Sequence, residues 1–183
     1  ENIATNFISQ FKIAIQNLKS GNPLDSSTQI SALARLDLAE ELELQVEKSI
    51  EMGAKLVIGG NRIEAFYEPT ILTAVTTEMP VFKEETFGPV AAITTFKTTD
   101  EAIELSNNSN FGLGVSIFTQ NIEDIKSKLI HFNESAIFIN EMVKSDPRLP
   151  FGGIKKSGYG RELSEEGIKE FTNIKTIVIN KIS

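Results

Sequence analysis

Cysteine is absent from all 183 residues. The chain therefore holds no disulfide, no zinc–thiolate site and no cysteine nucleophile of its own. That absence fits a reducing compartment, and a cytoplasmic location is expected. Histidine occurs once, at His131, with no second histidine near it in sequence. We expect His131 to end a helix and meet its free carbonyls, in neither a metal site nor a catalytic role. No run approaches the roughly 18 apolar residues of a membrane span, so no membrane partner is expected. Lysine and arginine form no cluster and the formal net charge is -7, which argues against nucleic acid as a partner. The first residues, Glu1-Asn2-Ile3-Ala4-Thr5-Asn6, lack the basic stretch and apolar core of a secretory signal. They read as a chain entered partway through.

What is present is the balance of a globular protein, 40% hydrophobic and 23% charged. Apolar side chains at Ile3, Phe7, Phe11, Ala14, Ile15 and Leu18 predict a helix over residues 3–19, closed by Gly21-Asn22-Pro23. Leu38, Leu42, Val46 and Ile50 predict a second over 37–53, ended by Gly53. Strands are predicted at 55–58, 70–75, 90–96, 113–118, 136–139 and 176–179, rich in branched and aromatic residues. Further helices are predicted at 100–107, capped by Thr98 or Thr99, and at 122–131 and 165–171. Nearly unbroken apolar strands alternating with helices predict an α/β fold, a mostly parallel sheet with helices on both faces. No linker or repeat divides the chain. A loop of about twenty residues, 140–160, is too long to be an idle connection.

Three segments can carry chemistry. In Lys83-Glu84-Glu85-Thr86-Phe87-Gly88-Pro89-Val90, Glu85 and Phe87 would project to one side of an extended chain. A carboxylate there can accept hydrogen bonds from two ribose hydroxyls, and a ring beside it can press on a flat heterocycle. The alternative is a pair of solvated glutamates and a core phenylalanine. In Leu149–Glu162 the glycines meet neither phosphate-binding pattern, because Tyr159 stands where a P-loop needs lysine. This segment is either a ligand loop or a structural one. In Asn140–Arg148, beyond the carboxyl end of a predicted strand, ligands commonly sit. Ser145 and Arg148 can offer a hydroxyl and a guanidinium fork to a substrate carboxylate. Equally, Arg148 can pair with Asp146 within a turn.

Together, Glu85-Thr86-Phe87-Gly88-Pro89, Asn110-Phe111-Gly112-Leu113-Gly114, Pro150-Phe151-Gly152-Gly153-Ile154-Lys155 and Ser157-Gly158-Tyr159-Gly160-Arg161-Glu162 resemble the aldehyde dehydrogenase superfamily in order and spacing. The resemblance covers essentially the whole chain. It corresponds to the C-terminal part of the catalytic domain over 1–174, then an oligomerisation strand and tail over 175–183. The run Asn140–Phe151 is most similar to bacterial-type succinate-semialdehyde dehydrogenases. One departure is Ser31-Ala32-Leu33, where the family usually has Gly-Pro-Leu. The resemblance implies that Glu85 and Phe87 hold the nicotinamide ribose and ring of NAD or NADP. It implies that Phe151 lines the aldehyde tunnel and that Thr176–Ile179 joins a sheet shared between subunits of a homo-oligomer. It also implies that the cysteine nucleophile, the general-base glutamate, the oxyanion asparagine and the main cofactor domain lie upstream of Glu1. Two readings follow. The chain is a fragment or split-gene product of such an enzyme, inactive alone and completed by an N-terminal chain. Or it is a non-catalytic folded remnant whose remaining capacity is self-association.

Overall fold

The structure, a computed structural model, describes residues 1–181, so the expected tail positions Ile182 and Ser183 lie outside the described residues. The chain divides into two compact units, Glu1–Asn108 and a second beginning at Ser109. The boundary falls in the polar run Asn107–Asn110, which has no proline- or glycine-rich linker composition.

The first unit opens with α1 (Ala4–Gln16), in which Phe7 and Phe11 lie one turn apart with ring centroids 5.7 Å from each other. Its apolar stripe leaves no residue of α1 buried. Next comes α2 (Leu36–Glu51), whose buried residues Ala39, Leu42, Gln45, Val46 and Ser49 recur at three- and four-residue spacing. Ile50, expected on that face, lies at its exposed edge. The helix ends as expected at Gly53. The Gly53 amide donates to the Ile50 carbonyl and the Ala54 amide to the Ser49 carbonyl, the bonding pattern of a Schellman cap.

Strand β1 (Lys55–Ile58) follows directly. A hairpin the sequence did not signal comes next, β2 (Arg62–Ile63) and β3 (Phe66–Tyr67). Strand β4 (Thr70–Thr73) then pairs antiparallel with β1 and parallel with β5 (Val90–Ala92). Between β4 and β5 lies a single helical turn, α3 (Pro80–Lys83). Helix α4 (Thr99–Asn107) is capped by Thr98, whose hydroxyl accepts the Glu101 amide at 3.1 Å. The core gathers Leu42 and Val46 of α2 with Tyr67, Leu72, Val75, Met79 and Val81. Burying such side chains contributes about 1.5–3 kcal/mol each.

In the second unit β6 (Phe111–Gly112) pairs antiparallel with β9 (Ile154–Lys155), and β7 (Val115–Ile117) pairs parallel with β8 (Ile137–Ile139). The helix expected over 122–131 is two pieces, α5 (Ile122–Lys126) and a 3-10 turn, Leu129–His131. Helix α6 (Ser164–Lys169) closes the regular structure.

Two expectations are corrected. Paired strands run in both senses, two ladders parallel and three antiparallel among the described residues, so the sheets are mixed rather than mostly parallel. The tight turn at Glu64-Ala65 forces β2 and β3 to run antiparallel, whereas β6 and β9 meet across some forty residues of intervening chain. The predicted strand Thr176–Ile179 is not a strand. Residues 173–181 carry neither helix nor ladder, and Ile177, Val178 and Ile179 are exposed. Branched composition supplies the preference for a strand, but a ladder needs a neighbour to bond to.

Candidate active-site loops

Glu85 and Phe87 belong to the first unit, and both are solvent-facing, with Phe87 67% exposed. The reason differs from simple alternation in an extended chain. The Gly88 amide donates to the Thr86 carbonyl at 2.9 Å and the Val90 amide to the Gly88 carbonyl at 2.8 Å. These are successive three-residue turns with Phe87 and Pro89 at their centres. The core phenylalanine alternative is thereby removed.

Three residues of α2 face this segment in sequence. A Cβ on Gly88 would stand 2.4 Å from Leu42 Cδ2, so only glycine lets the loop lie this close to the helix. One turn on, Gln45 Nε2 donates to Glu84 Oε2 at 3.0 Å and to the Glu85 carbonyl at 3.3 Å. Another turn on, the Ser49 hydroxyl accepts the Val81 amide at 3.2 Å and donates to the Gln45 carbonyl at 2.7 Å. From the other side, the Thr70 amide donates to the Pro89 carbonyl at 2.8 Å, tying the loop to β4. The outcome is a fixed backbone with an exposed carboxylate and an exposed ring. That pairing fits a ribose diol beside a planar ring. Gln45 and Ser49 were not singled out from the sequence. The available signal was a polar residue at 45 and 49 on the helix's apolar face.

Ser145, Arg148 and Phe151 belong to the second unit. Parallel strands β7 and β8 end together. Asn140, in the left-handed region at φ 55°, donates its amide to Ile117 and clasps both the Thr119 amide and the Thr119 carbonyl with its side chain, at 2.8 and 2.9 Å. A pocket of about 400 Å³ runs along β8 and the loop that follows it, its lining including Ile137, Ile139, Glu141, Lys144, Asp146 and Phe151. Phe151 is in its wall. Neither Ser145 nor Arg148 is part of that lining. Arg148 is held by Asp146 through paired contacts of 2.9 and 2.6 Å, and the Arg148 amide donates to the same carboxylate at 2.9 Å. These bonds hold the Asp146 carboxyl well below the usual carboxylate range and push the Arg148 guanidinium further up. The turn ion pair, one of the two alternatives open in the sequence, is therefore formed.

The glycine-rich stretch that follows is structural in its bonding. Phe151 and Glu162 exchange both backbone hydrogen bonds, at 2.9 and 2.8 Å. Arg161 donates to the carbonyls of Gly153 and Gly160 at 3.1 and 2.6 Å. The Ser157 hydroxyl accepts the Gly112 amide at 3.0 Å. His131 ends the 3-10 turn, close to its expected place, and no cluster among the described residues is suited to a metal ion. No helix among them is long and apolar enough to cross a membrane.

Residues 1–177 match the aldehyde dehydrogenase family. The chain belongs to the aldehyde dehydrogenase family. A succinate semialdehyde dehydrogenase [NAD(P)+] of Escherichia coli is 44% identical over 185 residues, covering 100% of this chain and 40% of that protein. A succinic semialdehyde dehydrogenase of Streptococcus pyogenes, solved in complex with NADP+, superposes with a TM-score of 0.92 at 37% identity, covering 99% of this chain and 40% of that one. A glyceraldehyde-3-phosphate dehydrogenase of Methanocaldococcus jannaschii complexed with NADP gives 0.91 at 38% identity, with 99% and 40% covered. The α/β fold is thus that of aldehyde dehydrogenases, and the chain spans about 40% of the length of these relatives.

Proposed function

We propose that this chain supplies the nicotinamide-side loop and the aldehyde-tunnel loop of an NAD(P)-dependent aldehyde dehydrogenase that oxidises succinate semialdehyde, or a related aldehyde, to the carboxylate. In this reading the chain is the C-terminal portion of the catalytic domain. The single observation that carries the proposal is the loop 84–89, held rigid by α2 while presenting Glu85 and Phe87 to solvent. NAD or NADP, when bound, accepts the hydride. Glu85 then accepts hydrogen bonds from the ribose hydroxyls, and Phe87 limits the swing of the ring. Phe151 forms one wall of the aldehyde passage. Ser145 and Arg148 meet the distal carboxylate of the substrate, Arg148 through the donors that Asp146 leaves unused.

A chain with no cysteine cannot supply the thiolate that attacks the aldehyde. The nucleophile, and the main cofactor domain, must come from a complementing segment. The test is to combine the chain with a segment supplying the remaining length of its relatives and follow aldehyde-dependent NAD(P)H formation. The combination should be active and the pure chain silent. NADH or NADPH made by the pure chain in proportion to its amount would refute the proposal.

A second reading, self-association, is favoured by one observation. Residues 174–179 place Ile174, Ile177, Val178 and Ile179 in solvent, Ile179 at 85% exposure. An apolar segment that joins no ladder among the described residues invites a strand from a second copy.

A further inference from the structure

A glutamine in the middle of a helix is ordinarily a solvated residue, yet Gln45 is 6% exposed on the apolar face of α2. Burying an amide is unfavourable unless its hydrogen bonds are replaced. Both protons of its side-chain nitrogen are spent on one target, since Glu84 Oε2 lies at 3.0 Å and the Glu85 carbonyl at 3.3 Å. Because both partners are acceptors, the group facing them must be the NH2 end of the amide. The neighbouring polar residue on that face, Ser49, is spent on the same segment through the Val81 amide at 3.2 Å. Leu42, one turn to the other side, meets Gly88. Three successive turns of α2 therefore grip the chain at 88, at 84–85 and at 81, in reverse order. The helix and the loop run antiparallel, in one register.

From this register we infer that Gln45 is a positioning residue for cofactor binding, fixing where Glu85 and Phe87 stand without touching the cofactor itself. The inference rests on the proposed cofactor role of Glu85. The bond to the Glu85 carbonyl sets the backbone from which that carboxylate projects. The bond to Glu84 orients the neighbouring carboxylate toward the helix, and so leaves Glu85 as the one presented. A methionine at 45 keeps the length and the apolar stem but donates nothing, so the loop would be free to pivot between Pro80 and Pro89.

The test is Gln45→Met with two readouts. The first is hydrogen exchange at the Glu84 and Gly88 amides of the unliganded chain. Both are bonded, to the Pro80 and Thr86 carbonyls. The second is the cofactor dissociation constant, with the aldehyde KM, in the enzyme completed by the missing segment. We expect exchange at 84 and 88 to quicken by about tenfold and cofactor affinity to fall by a similar factor, because one charge-assisted and one neutral hydrogen bond are lost. The aldehyde KM should be unmoved. Unchanged exchange would overturn the inference outright. Faster exchange with unchanged cofactor affinity, where Glu85→Gln does weaken the cofactor, would also overturn it, since the loop would then move without consequence. If Glu85→Gln is silent as well, the cofactor role of the loop fails and the inference falls with it. Should Gln45→Met not fold, Glu84→Ala removes one end of the same clamp from an exposed position and is expected to act in the same direction. Unchanged exchange in that variant would count against the clamp equally.

Discussion

Replacing Tyr67 by phenylalanine should stabilise this protein, although Tyr67 is in the middle of the core. Its side chain is 1% exposed and shares a cluster with Leu42, Val46, Leu72 and Met79. Its hydroxyl has no hydrogen-bond partner among the described residues. A buried, unbonded hydroxyl costs about 1–3 kcal/mol. Tyr67→Phe keeps the ring and removes that cost, so a gain of about 1 kcal/mol at neutral pH is expected. A second consequence appears in alkali. Burial, followed by the negative charges of Glu43, Glu47 and Glu68, pushes the phenol up to about 12. An unfolded tyrosine ionises near about 10. Between those values the unfolded chain has lost the proton and the native chain retains it. The contribution is therefore constant below about pH 10 and is lost as pH rises toward about 12, a fall of about 2–3 kcal/mol. Phenylalanine has no proton to lose and shows no such fall. Urea unfolding of both proteins at pH 7 and at pH 11, compared as a difference so that lysine titration cancels, reads both effects. The chain has two tyrosines, so ultraviolet titration in a Tyr159→Phe background reports Tyr67 alone. A Tyr67→Phe protein more than about 1 kcal/mol less stable at pH 7 would refute the reasoning, because the hydroxyl must then be bonded. Parallel loss of stability in the two proteins up to pH 11 would refute the alkaline half.

Gly88→Ala should cost about 1–3 kcal/mol in urea unfolding, because a Cβ 2.4 Å from Leu42 Cδ2 must displace a fully buried side chain; a loss near zero would mean the loop does not lie against α2. In the completed enzyme Glu85→Gln should weaken cofactor binding by about 1–2 kcal/mol, a charged acceptor becoming a neutral one, and unchanged cofactor kinetics would argue against its role. Replacing Ser145 and Arg148 together by alanine should impair oxidation of succinate semialdehyde more than that of an uncharged aldehyde of similar length. Equal losses would assign Arg148 wholly to its pairing with Asp146. Ending the chain at Asn173 should abolish or weaken self-association in sedimentation at micromolar concentration. Monomers in both cases, or equal dimers, would exclude the terminal segment as the contact.

What could be read in advance follows the range of the interactions involved. Helix α2 and strand β1 were legible because apolar periodicity and Gly53 act within a few residues, and the Thr98 cap likewise reaches only to Glu101. The hairpin β2–β3 was not, since strands of two residues are too short to show alternation. The one-turn helix α3 starts with Pro80 and is over before any period repeats. In the long loop, β9 exists only because β6 lies some forty positions earlier in the chain. Thr176–Ile179 fails for the opposite reason. Its composition is that of a strand, and it joins no ladder among the described residues.

The site divides in the same way. Glu85, Phe87 and Phe151 enter the proposed site through motif resemblance, but the physical reason for the exposure of Phe87 is a pair of three-residue turns that alternation does not predict. Gln45 was invisible because its partners are 39 and 40 residues away. A polar residue on an apolar stripe is ambiguous until its acceptor is known. Arg148 is the converse. Its nearest partner is two residues distant, and a fork that can close on Asp146 locally does so before any substrate arrives. With its side chain 84% exposed even when paired, Arg148 still has donors turned toward solvent. Under the proposed function, recognition of a substrate carboxylate through Arg148 competes with, or shares, a contact already made. On that proposal, the geometry around Asp146, rather than the presence of an arginine, decides how strongly a carboxylate-bearing aldehyde is preferred.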